Sequence, residues 1–179
     1  MVSEKVIIAG FGGQGVMLMG QLLSYTATAT ELNTLWFPSY GPETRGGTAN
    51  CSVTISEGNV NSPVISTPDS IIIMNKPSLD KFQKKLKKAG NLFLNSSLVT
   101  DVELRDDVNV YPVAANDIAI KLGNLKVANM VMLGAYLEVT KLFDPEKVLE
   151  ILKKKFTGSK AALIEINKEA LEAGKQAVL

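Results

Sequence analysis

The chain has 179 residues, 46% of them hydrophobic and 21% charged, with a formal net charge of +1. That length suits one domain, residues 1–179, with its own core, and the near-neutral charge gives no broad attraction to nucleic acid or to an anionic membrane. Histidine is absent and cysteine occurs once, at Cys51, so the chain offers neither the commonest general base nor ligands for an iron–sulfur cluster, and no internal disulfide.

Residues 5–9 (KVIIA) predict a short buried strand running into the cluster Gly10-Phe11-Gly12-Gly13-Gln14-Gly15. This apolar stretch is too short for a signal-peptide core, and no run of about 18 apolar residues occurs, so a cytoplasmic protein with no membrane span is expected. After the glycines, Val16, Met19, Leu22, Leu23 and Thr26 recur at helical spacing. Residues 34–38 (TLWFP) predict a second strand and so an opening β-α-β unit. Residues 48–56 (TANCSVTIS) read as a strand, with Cys51 as a small core residue. A return strand over residues 60–65 would complete an antiparallel hairpin.

Residues 70–74 (SIIIM) predict another buried strand. A helix starting at Pro77 follows, with Leu79, Phe82 and Leu86 on one face and Gly90 as its stop. Its cluster Lys84, Lys85, Lys87 and Lys88 fits a solvated face at a helix end, or else a docking patch for another chain. Strands are predicted over residues 91–95 and 109–113, and three helices over 115–156. The middle helix is apolar nearly all round, interrupted by Asn129, Glu138, Thr140 and Lys141, so both the sheet and a neighbouring subunit are expected to cover it. On that basis the isolated chain is expected to form homo-oligomers. Asp144-Pro145-Glu146 is a helix start, and residues 165–177 predict a polar surface helix. The fold class is α/β: a three-layer, Rossmann-like domain with a mixed, mostly parallel sheet and an antiparallel hairpin.

Two loops carry the chemistry. Gly10-x-Gly12-x-x-Gly15 lies between a strand and a helix, where glycines permit positive φ and let backbone N–H groups approach a phosphate. Gly13 opens the loop further and Gln14 offers amide donors. The same glycines would also serve close helix–strand packing alone. An acid about 20 residues further on, needed to read a ribose in an ordinary NAD site, is missing from the end of the second strand. The second loop runs Ser39-Tyr40-Gly41-Pro42-Glu43-Thr44-Arg45-Gly46-Gly47. There Arg45, followed by Gly46 and Gly47, can present its planar fork to a phosphate or carboxylate. Tyr40 offers a ring to stack on a base, and Glu43 can orient the arginine. A purely structural Glu43–Arg45 pair holding the turn is the other reading of these residues.

The stretches IIAGFGGQGV, SYGPETRGGTANCSV and MNKPSLDKF closely resemble the gamma subunit of the 2-oxoacid:ferredoxin oxidoreductases, and the likeness extends through most of the chain. That family decarboxylates a 2-oxoacid oxidatively with thiamine diphosphate and iron–sulfur clusters, forms an acyl-coenzyme A and reduces ferredoxin. The resemblance implies a non-catalytic subunit that binds coenzyme A. Gly10, Gly12, Gly13, Gln14 and Gly15 would hold it in the first loop, with Ser39, Tyr40, Glu43, Arg45, Gly46 and Gly47 in the second. It further implies alpha-, beta- and delta-type partners that carry thiamine diphosphate, Mg²⁺ and the clusters, with ferredoxin reached through the complex. No catalytic and no metal-binding residue is assigned to this chain. Lys76 departs from the glutamine frequent in the family, and the complete second loop is more similar to the 2-oxoglutarate or general 2-oxoacid branch than to the pyruvate branch. The competing expectations are a free-standing adenine-nucleotide-binding module and a scaffold subunit whose loops hold no ligand.

Overall fold

The structure, a computed structural model, describes residues 1–39 and 48–179, so Tyr40, Glu43, Arg45, Gly46 and Gly47 lie outside the described residues. Its centre is β1 (Ser3–Phe11), where Val6 and Ile8 face one core and Ile7 and Ala9 face another. Burial on both faces is why this strand is a continuous apolar run rather than an alternating one. Three further strands line up parallel to β1 on one side: β4 (Ser70–Ile73), β5 (Asn91–Asn95) and β6 (Asn109–Val113). On its other side lies β3 (Thr48–Ser56), antiparallel to β1 and also to the edge strand β2 (Asn33–Ser39). The sheet order is therefore β2-β3-β1-β4-β5-β6.

This corrects the hairpin expected from the sequence. β3 pairs with β2 rather than with residues 60–65, which form no strand. Both edges of β3 are already occupied, by β1 and β2, and Pro63 has no N–H to contribute to a ladder. Ile65 instead turns into the second core. The opening β-α-β unit has the expected order, but β3 is inserted between its two strands.

Helices cover both faces, giving the three-layer arrangement. One face carries α1 (Val16–Ala29), α3 (Ala115–Leu122), α4 (Ala128–Thr140) and α5 (Pro145–Lys155). The other carries α2 (Lys76–Phe82). This helix is shorter than its apolar spacing predicts, since it tightens into a 3₁₀ turn at Gln83–Lys85 and Leu86 is already extended. Gly90 does not stop it. Its glycine character serves close approach, because a Cβ there would lie 2.8 Å from the Lys87 carbonyl oxygen. The start of α5 is as expected, with the Asp144 carboxylate accepting from the Glu146 N–H at 3.0 Å.

The apolar α4 is covered from within the chain. α6 (Ile164–Gln176) lies directly on it and buries Asn167, Ala170, Leu171 and Gly174 against it. From the sheet side, the Tyr136 ring meets Phe93 edge-on at 5.4 Å. The segment expected to be a polar surface helix is thus half of a helix pair, and the expected cover by a neighbouring subunit is not needed. Self-association of the isolated chain loses the ground on which it was expected. Among the described residues, no helix is long and apolar enough to cross a membrane.

Candidate ligand crevice at the switch point

β1 and β4 are adjacent and parallel, with Val6 opposite Ser70. The chain leaves β1 for α1 on one face and leaves β4 for α2 on the other, which opens a crevice at the carboxyl ends of the two strands. Open α/β sheets hold their ligands at such a point. A cavity of about 470 Å³ occupies it, lined among others by Gly13, Gln14, Met74, Asn116, Lys126 and Ala128. A second hollow of about 360 Å³ adjoins the start of α1, against Gly12, Gly13, Gly15, Val16, Leu18 and Ala49.

The glycine loop folds tightly between the two. The Gln14 N–H donates to the Phe11 carbonyl at 3.2 Å, closing a turn. The Gln14 side chain doubles back: its Oε1 accepts from the Phe11 N–H at 2.6 Å and its Nε2 donates to the Met74 carbonyl at 3.5 Å. The amide thus holds the loop together, although the sequence offered it as a donor to a ligand. Gly10 makes room for it, since a Cβ there would stand 2.6 Å from Gln14 Oε1. Gly13 (φ 90°) and Gly15 (φ 74°) take the left-handed conformation that side chains disfavour. Among the described residues, no atom lies within 4 Å of a Cβ added at Gly13, so its backbone is open on that side. Gly15 is the N-cap of α1 and brings no side-chain cap, and the first turn carries no acid. Among the described residues no side chain caps the N–H groups of that turn, where the helix dipole favours an anion.

Ser39 ends β2 opposite Asn50, and Thr48 opens β3 opposite Phe11. Both ends of the second loop consequently stand at the same sheet edge as the glycine loop.

Residues outside the two loops border the crevice. Asn95, at the end of β5, donates to the Met74 carbonyl at 3.3 Å and to Asn116 Oδ1 at 2.9 Å. Asn75 caps α2, accepting from the Ser78 N–H at 3.0 Å. The Nδ2 of Asn75, the Oγ of Ser78 and the Oδ1 of Asn95 are buried with no hydrogen-bond partner among the described residues. Asn129 reaches from α4 to the Gly15 carbonyl at 3.3 Å. Its signal in the sequence was an amide within an apolar helix, since a buried polar group needs a partner. Among the described residues, the groups with perturbed acidity lie outside the crevice lining. Glu4, at the amino end of β1, is raised above the ordinary glutamate range by burial.

These features define a doubly wound α/β domain with a crevice at its switch point. The model of the pyruvate ferredoxin/flavodoxin oxidoreductase family matches residues 5–177, and the chain belongs to that family. It is 40% identical over 172 residues to the ketoisovalerate oxidoreductase subunit VorA of Methanothermobacter marburgensis, a match covering 95% of this chain and 35% of VorA. The chain thus spans about a third of the length of that relative. The gamma subunit of the keto/oxoacid ferredoxin oxidoreductase from Geobacter sulfurreducens PCA superposes with a TM-score of 0.84 at 26% identity, covering 98% of both chains. The 2-oxoglutarate:ferredoxin oxidoreductase of Magnetococcus marinus, solved with 2-oxoglutarate, coenzyme A and succinyl-CoA, shares the fold. Its TM-score is 0.89 at 22% identity, covering 99% of this chain and 31% of that one.

Proposed function

We propose that this chain is the gamma-type subunit of a multi-subunit 2-oxoacid:ferredoxin oxidoreductase and that it contributes the surface that binds coenzyme A. The observation that carries this is the crevice itself, with the open backbone of Gly13 beside the uncapped start of α1. The residues fit a phosphate group. Lys126 supplies a cation in the crevice wall, and Gly12 and Gly13 are exposed at the loop tip. Arg45 is proposed as the second cation and Tyr40 as the stacking ring, from a loop whose ends, Ser39 and Thr48, stand at the same edge. Coenzyme A in the Magnetococcus enzyme, which shares this fold, supports the assignment.

In that role the chain does no redox chemistry. Its single cysteine and lack of histidine leave thiamine diphosphate, Mg²⁺ and the clusters to alpha-, beta- and delta-type partners. The complex would form an acyl-coenzyme A from the 2-oxoacid, releasing carbon dioxide and passing electrons to ferredoxin. The full second loop favours 2-oxoglutarate as the acid, whereas the 40% identity to VorA favours ketoisovalerate.

The test is reconstitution with the partner subunits. The isolated chain should show no turnover with any 2-oxoacid when given thiamine diphosphate and an electron acceptor. The assembled complex should reduce ferredoxin in a reaction that needs both coenzyme A and a 2-oxoacid, and its preference between 2-oxoglutarate and ketoisovalerate decides the substrate. Turnover by the chain alone would refute the proposal.

A further inference from the structure

The two walls of the crevice come from distant parts of the chain: the glycine loop on one side, residues 124–128 on the other. Asn129 joins them. It is the second residue of α4, 4% exposed, and directly follows Ala128 of the second wall. Its Nδ2 donates to the Gly15 carbonyl at 3.3 Å and its Oδ1 accepts from the Met130 N–H at 2.9 Å. The same Gly15 carbonyl receives the Met19 N–H at 3.2 Å, the first hydrogen bond of α1. A Cβ on Gly15 would stand 2.3 Å from Asn129 Nδ2 and 2.8 Å from its Cγ. The amide therefore occupies the space that a side chain at position 15 would need.

We infer that Asn129 is a positioning residue: it clamps the N-cap of α1 to the start of α4 and so fixes the width and donor geometry of the crevice. Several facts converge on this. The amide spends its donor on a backbone carbonyl that already has a helical partner, so satisfying that carbonyl is not its only use. Its acceptor takes the Met130 N–H in the first turn of α4, directly after the wall residues Lys126 and Ala128. The left-handed Gly15 is held on one side by its own turn and on the other by this amide. A loop ordered in advance binds its ligand without the ordering cost that a floppy loop would incur. Asn129 thus acts on affinity through Gly15, not by touching the ligand. The expected effect on affinity rests on the coenzyme A assignment above, whereas the clamp itself does not.

The experiment therefore reads both. Coenzyme A affinity is measured by calorimetry, and amide hydrogen exchange is followed with and without ligand, for the wild-type chain, Asn129→Asp and Asn129→Ala. Asn129→Asp keeps the volume and the acceptor for Met130 while setting a carboxylate against the Gly15 carbonyl. Asn129→Ala removes the clamp without repulsion and suits a helix, so it provides a folded variant should the first unfold. The expected result is a loss of coenzyme A affinity of about tenfold or more, or ~1.4 kcal/mol and above. With it, exchange at Met19 should speed up by a comparable factor while Ile71–Ile73 of β4 keep their protection. Weaker binding with unchanged exchange at Met19 would make Asn129 a ligand contact and overturn the inference. Loss of protection throughout β4 would also overturn it, by making the residue a general structural one. Unchanged affinity together with unchanged exchange would do so as well. If even the wild-type chain binds no coenzyme A, alone or assembled with its partner subunits, but the variants loosen Met19 alone, the clamp stands and the coenzyme A assignment falls.

Discussion

Cys51 sits in β3 under α1, fully buried, with its thiol 3.5 Å from the Val16 carbonyl. Burial pushes its pKa up to about 12, so the reactive thiolate is scarce at neutral pH. Iodoacetamide should leave the folded protein unlabelled over hours and label it once in denaturant, as mass spectrometry would show; rapid labelling of the folded chain would contradict this. Glu4 lies near the amino end of β1, the strand paired with β3. Its carboxylate accepts from Ser70 Oγ at 2.6 Å and from the fully buried Tyr136 hydroxyl at 3.1 Å. Burial raises the Glu4 pKa over these hydrogen bonds, which act the other way. The folded state then holds this proton to a higher pH than the unfolded state does. Stability from Glu4 is complete below the unfolded value, about 4.3, and declines as pH rises toward the folded one. Glu4→Gln keeps an oxygen for Ser70 and Tyr136 and removes the titration. Chemical denaturation at a series of pH values should show a decline as pH rises above the ordinary glutamate range in the wild type that is smaller in the variant; equal slopes would remove Glu4 as its source.

Helix α4 and helix α6 touch through glycines. An added Cβ would lie 2.1 Å from the Leu171 carbonyl oxygen at Gly134, and 1.8 Å from the Val131 carbonyl oxygen at Gly174. Backbone cannot give way as a flexible side chain does, so Gly134→Ala and Gly174→Ala must part the helices. Each should cost roughly 1–3 kcal/mol, outweighing alanine's better helix propensity of about 1 kcal/mol. A drop of several degrees in Tm is expected for each, and an unchanged or higher Tm would show that the helices are less closely seated. This pairing was not legible in the sequence. The glycines of GAYLE and LEAGK look like weak points within single helices, and only their meeting in space explains them. The strands over residues 91–95 and 109–113 were legible to the residue: the first is a buried apolar run with clear stops, and the second is an edge strand, where Pro112 is tolerated. The placement of β3 was not, because strand order depends on pairings across the fold that no local pattern encodes.

At the scale of the molecule, the sheet brings the glycine loop and the two ends of the second loop, Ser39 and Thr48, to one edge, and a wall from far along the chain faces the glycine loop. The glycine loop was legible because its signal lies within six consecutive residues between a strand and a helix. The wall at residues 124–128 and its clamp Asn129 were not, because Asn129 meets Gly15 across 114 residues of sequence. Gln14 lines the crevice, and its amide, which the sequence offers as a donor to a ligand, folds back onto Phe11. Arg45 carries the most direct test of the proposed role: the apparent coenzyme A constant of the complex assembled with wild-type chain, Arg45→Ala or Arg45→Lys. Loss of a charge-assisted contact of roughly 1.5–3 kcal/mol corresponds to about a tenfold to hundredfold weaker constant for Arg45→Ala. Arg45→Lys should recover part of it, since an ammonium lacks the bidentate fork. Thermal stability, read alongside, should barely change. A constant that is the same in all three complexes would contradict the account, and so would a fall in stability with no specific loss of affinity.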